Sequence, residues 1–238
     1  MNNENILKEL VESINKADAK NLKTDNDRVD YWKKEFDNKS ALKWSEKTID
    51  LENQYLKNSL TKKILLNCYE IKSLAPVDDK YKDKIIIWDD NIASMVVDAI
   101  VIPASYDISD NKERKIHDVY YYNGIRLRKK ILNIMDGEKL KKNEVLITRS
   151  YNVLADYIMH VYYDKIRDSI INVMECARVN MVKALVICIG GNLEDVRVVY
   201  STVLEYLSKF DIMFDKVILA IENEKIRDEF IEELNKEA

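Results

Sequence analysis

Apolar residues along this chain alternate between short unbroken runs and longer stretches in which they return every three or four positions. The unbroken runs cover residues 84–88, 96–102, 144–148, 157–162, 184–189 and 216–221. They have strand length and are rich in β-branched side chains, so each predicts a strand. The periodic stretches cover 116–135, 164–180, 193–209 and 224–236 and predict helices. In 164–180 the stripe is Ile166, Ile170, Val173, Met174 and Ala177; in 193–209 it is Val196, Val199, Tyr200, Val203 and Leu207. Strands that alternate with helices of this length predict a three-layer α/β domain.

The run Val96-Val97-Asp98-Ala99-Ile100-Val101-Ile102 is the best candidate for a central strand, since it reads as buried on both faces. Pro103 cannot donate to a sheet ladder and should end it. Upstream, residues 1 to about 75 read as helical, with Ile6, Leu7, Leu10, Val11 and Ile14 on one face and Leu42, Trp44, Ile49, Leu51, Tyr55, Leu56 and Leu60 as further anchors. Pro76 interrupts that pattern. The expected organisation is a helical N-terminal extension over 1–78 and an α/β domain over 79–238.

Composition narrows the chemistry. Apolar residues make up 47% and charged residues 34%, with a net charge of −4, which fits a globular protein and gives no overall attraction to nucleic acid or membrane. No apolar run approaches the roughly 18–20 residues that span a bilayer, and the first residues lack a signal-peptide pattern, so the expected location is the cytoplasm. Cys68, Cys176 and Cys188 are far apart, and His117 and His160 complete the list of soft ligands, so no disulfide framework or metal spacing emerges. There are four glycines, where average usage of about 7% would give roughly 17. A Walker loop and a Gly-x-Gly-x-x-Gly loop are both absent. Between Asp110 and Lys142, ten Lys or Arg stand against five Asp or Glu. Without interleaved exposed aromatics in a strand, that excess does not favour a nucleic-acid partner.

Residues 88–105 then carry a specific likeness. Trp88-Asp89-Asp90-Asn91-Ile92 followed by Val97-Asp98-Ala99-Ile100-Val101 resembles the opening of a macrodomain, in which a Gly-Asp-Ile turn precedes Val-Asp-Ala-Ile-Val-Asn-Ala-Ala-Asn. Thr148, Tyr151-Asn152, Tyr157 and His160 are similar to the segment Ile-Thr-x-x-Tyr-Asn-Leu-x-x-x-Tyr-Val-x-His of the same family, and Ile116-His117 to its Ala-Ile-His. The likeness covers about residues 84–236. Leu51-Glu52-Asn53-Gln54-Tyr55-Leu56 resembles the helical extension of the zinc-bearing bacterial macrodomains that accompany sirtuins and remove ADP-ribose from proteins. The implied fold is a central mixed sheet between helical layers.

The same resemblance implies a site, and this chain departs from it. The adenine-reading Asp of the family falls at Asn91, with Asp90 beside it and Ile92 next in the turn. The Asn-Ala-Ala-Asn stretch falls on Ile102-Pro103-Ala104-Ser105, so Ser105 stands where an Asn orients the distal ribose and water. The first loop, Tyr106 to Arg114, has no Cys, His or Gly, and its Asp107, Asp110 and Glu113 do not form a tetrahedral zinc set; no zinc and no other cofactor is expected. The second loop survives in part as Gly190, Gly191 and Asn192, a strand running into a helix start that suits an anion. Asn192 reads as an N-cap with Asp195 at N3, and Glu194 and Asp195 bring negative charge there. His117, His160 and the cluster Tyr120, Tyr121 and Tyr122 read as packing residues.

The implied ligand set is therefore Asp90, Asn91, Ile92, Ser105, Gly190, Gly191 and Asn192, with ADP-ribose or a related nucleotide, or a protein, as partner. Three readings follow. The chain binds such a ligand without catalysis; or it hydrolyses ADP-ribosylated substrates using Ser105, Asp107 or Asp110; or it is an interaction protein with a closed cleft.

Overall fold

A computed structural model describes residues 46–60, 65–89, 92–104, 114–136 and 138–237. The strand around which the rest is arranged is β3. Counting described elements in chain order, these are α1 (Glu46–Leu60), β1 (Leu66–Asn67), β2 (Ile85–Trp88), β3 (Met95–Pro103), α2 (Arg114–Met135), β4 (Val145–Arg149) and β5 (Ala155–Val161). They continue with α3 (Ile166–Val179), β6 (Ala184–Ile189), α4 (Leu193–Phe210), β7 (Lys216–Ile221) and α5 (Glu224–Glu237), and short 3₁₀ turns cover Ile92–Ser94 and Asp211–Met213.

The described strands form a seven-stranded mixed sheet in the order β2-β7-β6-β3-β5-β4, with β1 paired to the start of β3. β3 runs parallel to β5 on one side and β6 on the other, and only β4 is antiparallel to its neighbour. Because β3 is flanked on both sides, Ile100, Val101 and Ile102 are fully buried. Alternation of side chains sends Ala99 and Val101 to one face and Ile100 and Ile102 to the other. On the first face they meet Ile170, Val173 and Met174 of α3 and Val199, Val203 and Leu207 of α4. On the second they meet Leu60 of α1 and Val119 and Tyr122 of α2. Helices on both faces of the sheet make the three-layer α/β architecture that the sequence pattern predicts.

The one polar residue inside the β3 run has a partner. Asp98 accepts hydrogen bonds from the backbone N–H groups of Lys183 (2.7 Å) and Ala184 (2.9 Å), which locks β6 in register against β3. Pro103 closes β3, and the next residue, Ala104, still donates to the Val161 carbonyl at 2.7 Å.

Two local features differ from the sequence reading. Residues 65–75 are not helical: Leu66 and Asn67 pair with Met95 and Val96, so a tertiary ladder overrides the periodic pattern. Leu66, together with Leu60, Cys68 and Ile71, joins the core on the α1–α2 face, upstream of the expected boundary at 78. In addition, α2 is kinked at Gly124 (φ 62°, ψ −162°), a conformation that glycine tolerates and side chains do not.

Candidate functional site

β2, β7, β6 and β3 are mutually parallel along the sheet, so Trp88, Ile221, Ile189 and Pro103 end at one common edge. In open α/β sheets this carboxyl edge is where ligands collect. Of the residues expected there from sequence, Ile92, Gly190, Gly191 and Asn192 are described. Asp90, Asn91 and Ser105 lie outside the described residues, as do Asp107, Asp110 and Glu113 of the first loop. Ile92 is fully buried within its 3₁₀ turn, where its side chain packs into the core.

The turn from β6 into α4 is the best-defined part of the edge. Gly191 has φ +98°, and a Cβ there would meet the Asp195 carboxylate. Asn192 is the N-cap of α4 and forms a complete capping box: its side chain accepts from the Asp195 N–H (3.1 Å), and the Asp195 carboxylate accepts from the Asn192 N–H (2.9 Å). Glu194 turns away to pair with Arg197 at 3.0 Å. The Asp195 carboxylate thus caps the helix start, Glu194 is paired with a cation, and the N-terminal dipole of an 18-residue helix points at the edge. Gly191→Ala is expected to cost about 2 kcal/mol, from the left-handed backbone and the disturbed cap together. A lower urea midpoint at unchanged denaturant slope checks this.

At the end of β2, Asp89 pairs with Arg227 of α5 at 3.2 Å. The Arg227 guanidinium is largely buried and also contacts Asp228 at 2.9 Å. Asn223 caps the start of α5 by accepting from the Ile226 N–H at 3.2 Å. Beside Asp89, the indole nitrogen of Trp88 is buried and has no hydrogen-bond partner among the described residues. Sequence reading used Trp88 only as the start of the stretch that carries the resemblance, and it passed over Arg227, which belongs to no recognisable motif.

The imidazole of His160 sits near the carboxyl end of β5, in register with Ile102, and is completely buried. Its Nε2 lies 3.0 Å from the Thr148 hydroxyl and its Nδ1 2.9 Å from the Tyr120 hydroxyl. The Thr148 hydroxyl reaches the Ile158 carbonyl at 3.4 Å. With that carbonyl as acceptor, Thr148 accepts from Nε2–H and Tyr120 donates to Nδ1, so the network assigns the tautomer. Burial drives the imidazole pKa down to about 3 and raises that of the Tyr120 phenol, leaving a neutral chain of hydrogen bonds. His160 is a packing residue, as expected; the side chain of His117 lies outside the described residues.

Asn152, the other specific residue of the resemblance, also does structural work. Its amide donates to the Tyr122 carbonyl at 2.7 Å, just before the kink in α2, and to Asn53 of α1 at 3.0 Å. Asn123, fully buried, accepts from the Tyr151 N–H at 2.7 Å and donates to the Val119 carbonyl at 2.8 Å. Asp50 and Arg126 pair across the same junction. These contacts fasten α1 to the sheet domain through α2 and the β4–β5 turn. Among the described residues, no group of three or more His, Cys, Asp or Glu is placed to hold a metal ion, and no helix is long and apolar enough to cross a membrane.

No protein-family model matches this chain, and no curated protein matches it in sequence. Solved structures match it in fold. A Trypanosoma brucei macrodomain in complex with ADP-ribose superposes with a TM-score of 0.62 at 14% identity, over 79% of this chain and 90% of that one. The macro domain of ganglioside induced differentiation associated protein 2 gives a TM-score of 0.58 at 14% identity, over 69% of this chain and 94% of that one. An Oceanobacillus iheyensis macrodomain with ADP gives 0.55 at 16% identity, over 66% and 94%. The architecture of this chain is a macrodomain-like α/β fold.

Proposed function

We propose that the carboxyl edge of the sheet binds ADP-ribose or a closely related nucleotide, in the cytoplasm, and holds it without hydrolysis. The observation that carries this reading is the β6–α4 turn. Gly190 and Gly191 bring backbone close to the edge, α4 begins there with its positive dipole end, and Glu194 of the first turn is paired with Arg197, which supports an anion at this turn. Structures of similar fold have been solved in complex with ADP-ribose and with ADP, which supports the choice of ligand.

Ile102 and Ser105, which stand where the macrodomain resemblance implies asparagines, support the absence of turnover. Ile102 is fully buried in the core and offers no polar atom, and the single hydroxyl of a serine at the water-orienting position cannot make an amide's paired contacts. The imidazole of His160 is committed to Tyr120 and Thr148. The likeness of Leu51 to Leu56 to the extension of the zinc-bearing, sirtuin-associated macrodomains supports descent from that group, with the zinc ligands lost.

The test is a thermal shift titration with ADP-ribose, with AMP and NAD as controls, alongside incubation with an ADP-ribosylated protein. A ligand at 100 times its Kd stabilises the folded state by about 2.7 kcal/mol. The expected result is a dose-dependent rise selective for ADP-ribose and no released ADP-ribose. Release would overturn the non-catalytic reading in favour of a hydrolase that uses Ser105, Asp107 or Asp110. A flat response to every nucleotide would leave the third reading, a protein-interaction module with a closed cleft.

A further inference from the structure

We infer that Trp88 reads the bound nucleotide through its indole N–H, an inference that rests on the nucleotide-binding reading above. Trp88 is the last residue of β2 and lies in register with Ala220, next to the end of β7. Its side chain packs against the cluster containing Ile92, Ala93, Ile102 and Ala220, the residues that close the α1–α2 face of the core at the carboxyl edge. There its Nε1 is buried with no acceptor among the described residues.

An orphaned buried donor is costly, and buried tryptophan N–H groups normally find a partner. Among the described residues, the polar groups next to it in the chain are already committed. The Ile87 N–H donates to the Ser73 hydroxyl at 3.0 Å, and the Ile87 carbonyl accepts from the Leu74 N–H at 3.1 Å. The neighbouring carboxylate, Asp89, is paired with Arg227. A phenylalanine would fill the apolar side of this position without the orphan, so the donor is explained by a partner that arrives with the ligand.

Indole Nε1–H donates and never accepts, which fixes the chemistry of what it meets. The partner is an acceptor on a planar base, either an unprotonated ring nitrogen or a carbonyl oxygen, presented where β2 ends. Trp88 is accordingly a specificity residue of the site. It favours ligands that carry a base over those that carry only ribose and phosphate.

The experiment compares the parent chain with Trp88→Phe, which keeps an aromatic ring and removes the donor. ADP-ribose affinity is expected to weaken about tenfold, the usual worth of one such hydrogen bond, while ribose 5-phosphate binding is unchanged. The unliganded variant is expected to melt no lower than the parent, because the orphan has gone. Independently of any folding defect, the parent chain has three indole N–H resonances, from Trp32, Trp44 and Trp88, which Trp32→Phe and Trp44→Phe distinguish. That of Trp88 should move on titration with ADP-ribose. If ADP-ribose binds but the Trp88 resonance stays put and the variant binds equally well, the inference is overturned and the binding reading survives. If ADP-ribose does not bind the parent, the binding reading fails and this inference falls with it.

Discussion

Acidification from pH 6.5 towards 3 is expected to destabilise this protein steadily through His160. The imidazole is completely buried, and burial holds its folded pKa near 3, whereas in the unfolded chain it lies at the ordinary 6.5. Above pH 6.5 both states are neutral at this residue and its contribution is fully present. Below it the unfolded state takes up a proton that the folded state refuses, so stability falls by about 1.4 kcal/mol per pH unit. Across the whole window the loss is on the order of 5 kcal/mol, a large share of a typical domain's stability. Carboxylates titrate over part of the same range, so the measurement is a comparison. Urea unfolding of the parent and of His160→Gln, from pH 7 to pH 4, should show a shallower pH dependence in the variant. Identical slopes would mean that the imidazole is charged in the folded state. Glutamine can keep one polar link to Tyr120 or Thr148, which separates loss of titration from loss of the network.

Ile100→Ala should be the most damaging single substitution in β3, costing about 2–5 kcal/mol. Ile100 is fully buried, with β5 and β6 on either side and the α1–α2 face above it. Truncation removes apolar area and leaves a void that a clamped central strand cannot collapse into. Val96→Ala is the matched control on the same strand. Val96 is 44% exposed, and its truncation should stay within about 0.5 kcal/mol. Chemical denaturation of the two variants reads both values. A similar cost at both positions would contradict the placement of β3 at the centre of the sheet.

Much of this architecture is legible in the residues taken one after another. The strands at Ala184–Ile189 and Lys216–Ile221 have the bounds their apolar runs predict, and the other strands and α-helices from β2 onwards begin and end within two residues of expectation. The physical reason is that burial on both faces of a parallel strand imposes a continuous apolar run, whereas a helix on the sheet imposes a stripe at 3.6 residues. The capping box of Asn192 and Asp195 is readable for the same kind of reason, since its two members are three residues apart and bond only to each other. Gly190 and Gly191 were legible as a turn, although only the backbone angle shows that Gly191 is the one that cannot be replaced.

What tertiary structure alone decided are pairings between residues distant in the chain. Asn143 accepts from the N–H groups of Asp164 and Lys165 and so caps α3 from another loop; no local signal at the start of α3 announces it. Leu66 and Asn67 are a strand because β3 offers them an edge. Arg227 is drawn to Asp89, Asn152 to Asn53 and Tyr122, and the Trp88 indole is left without an acceptor among the described residues, by the way the elements pack. A hydrogen bond between neighbours in sequence leaves a fixed spacing to be read. One closed by packing leaves none, and for that reason the strands, helices and cap of this chain were written in its sequence while the chemistry at the sheet's edge was settled by the fold.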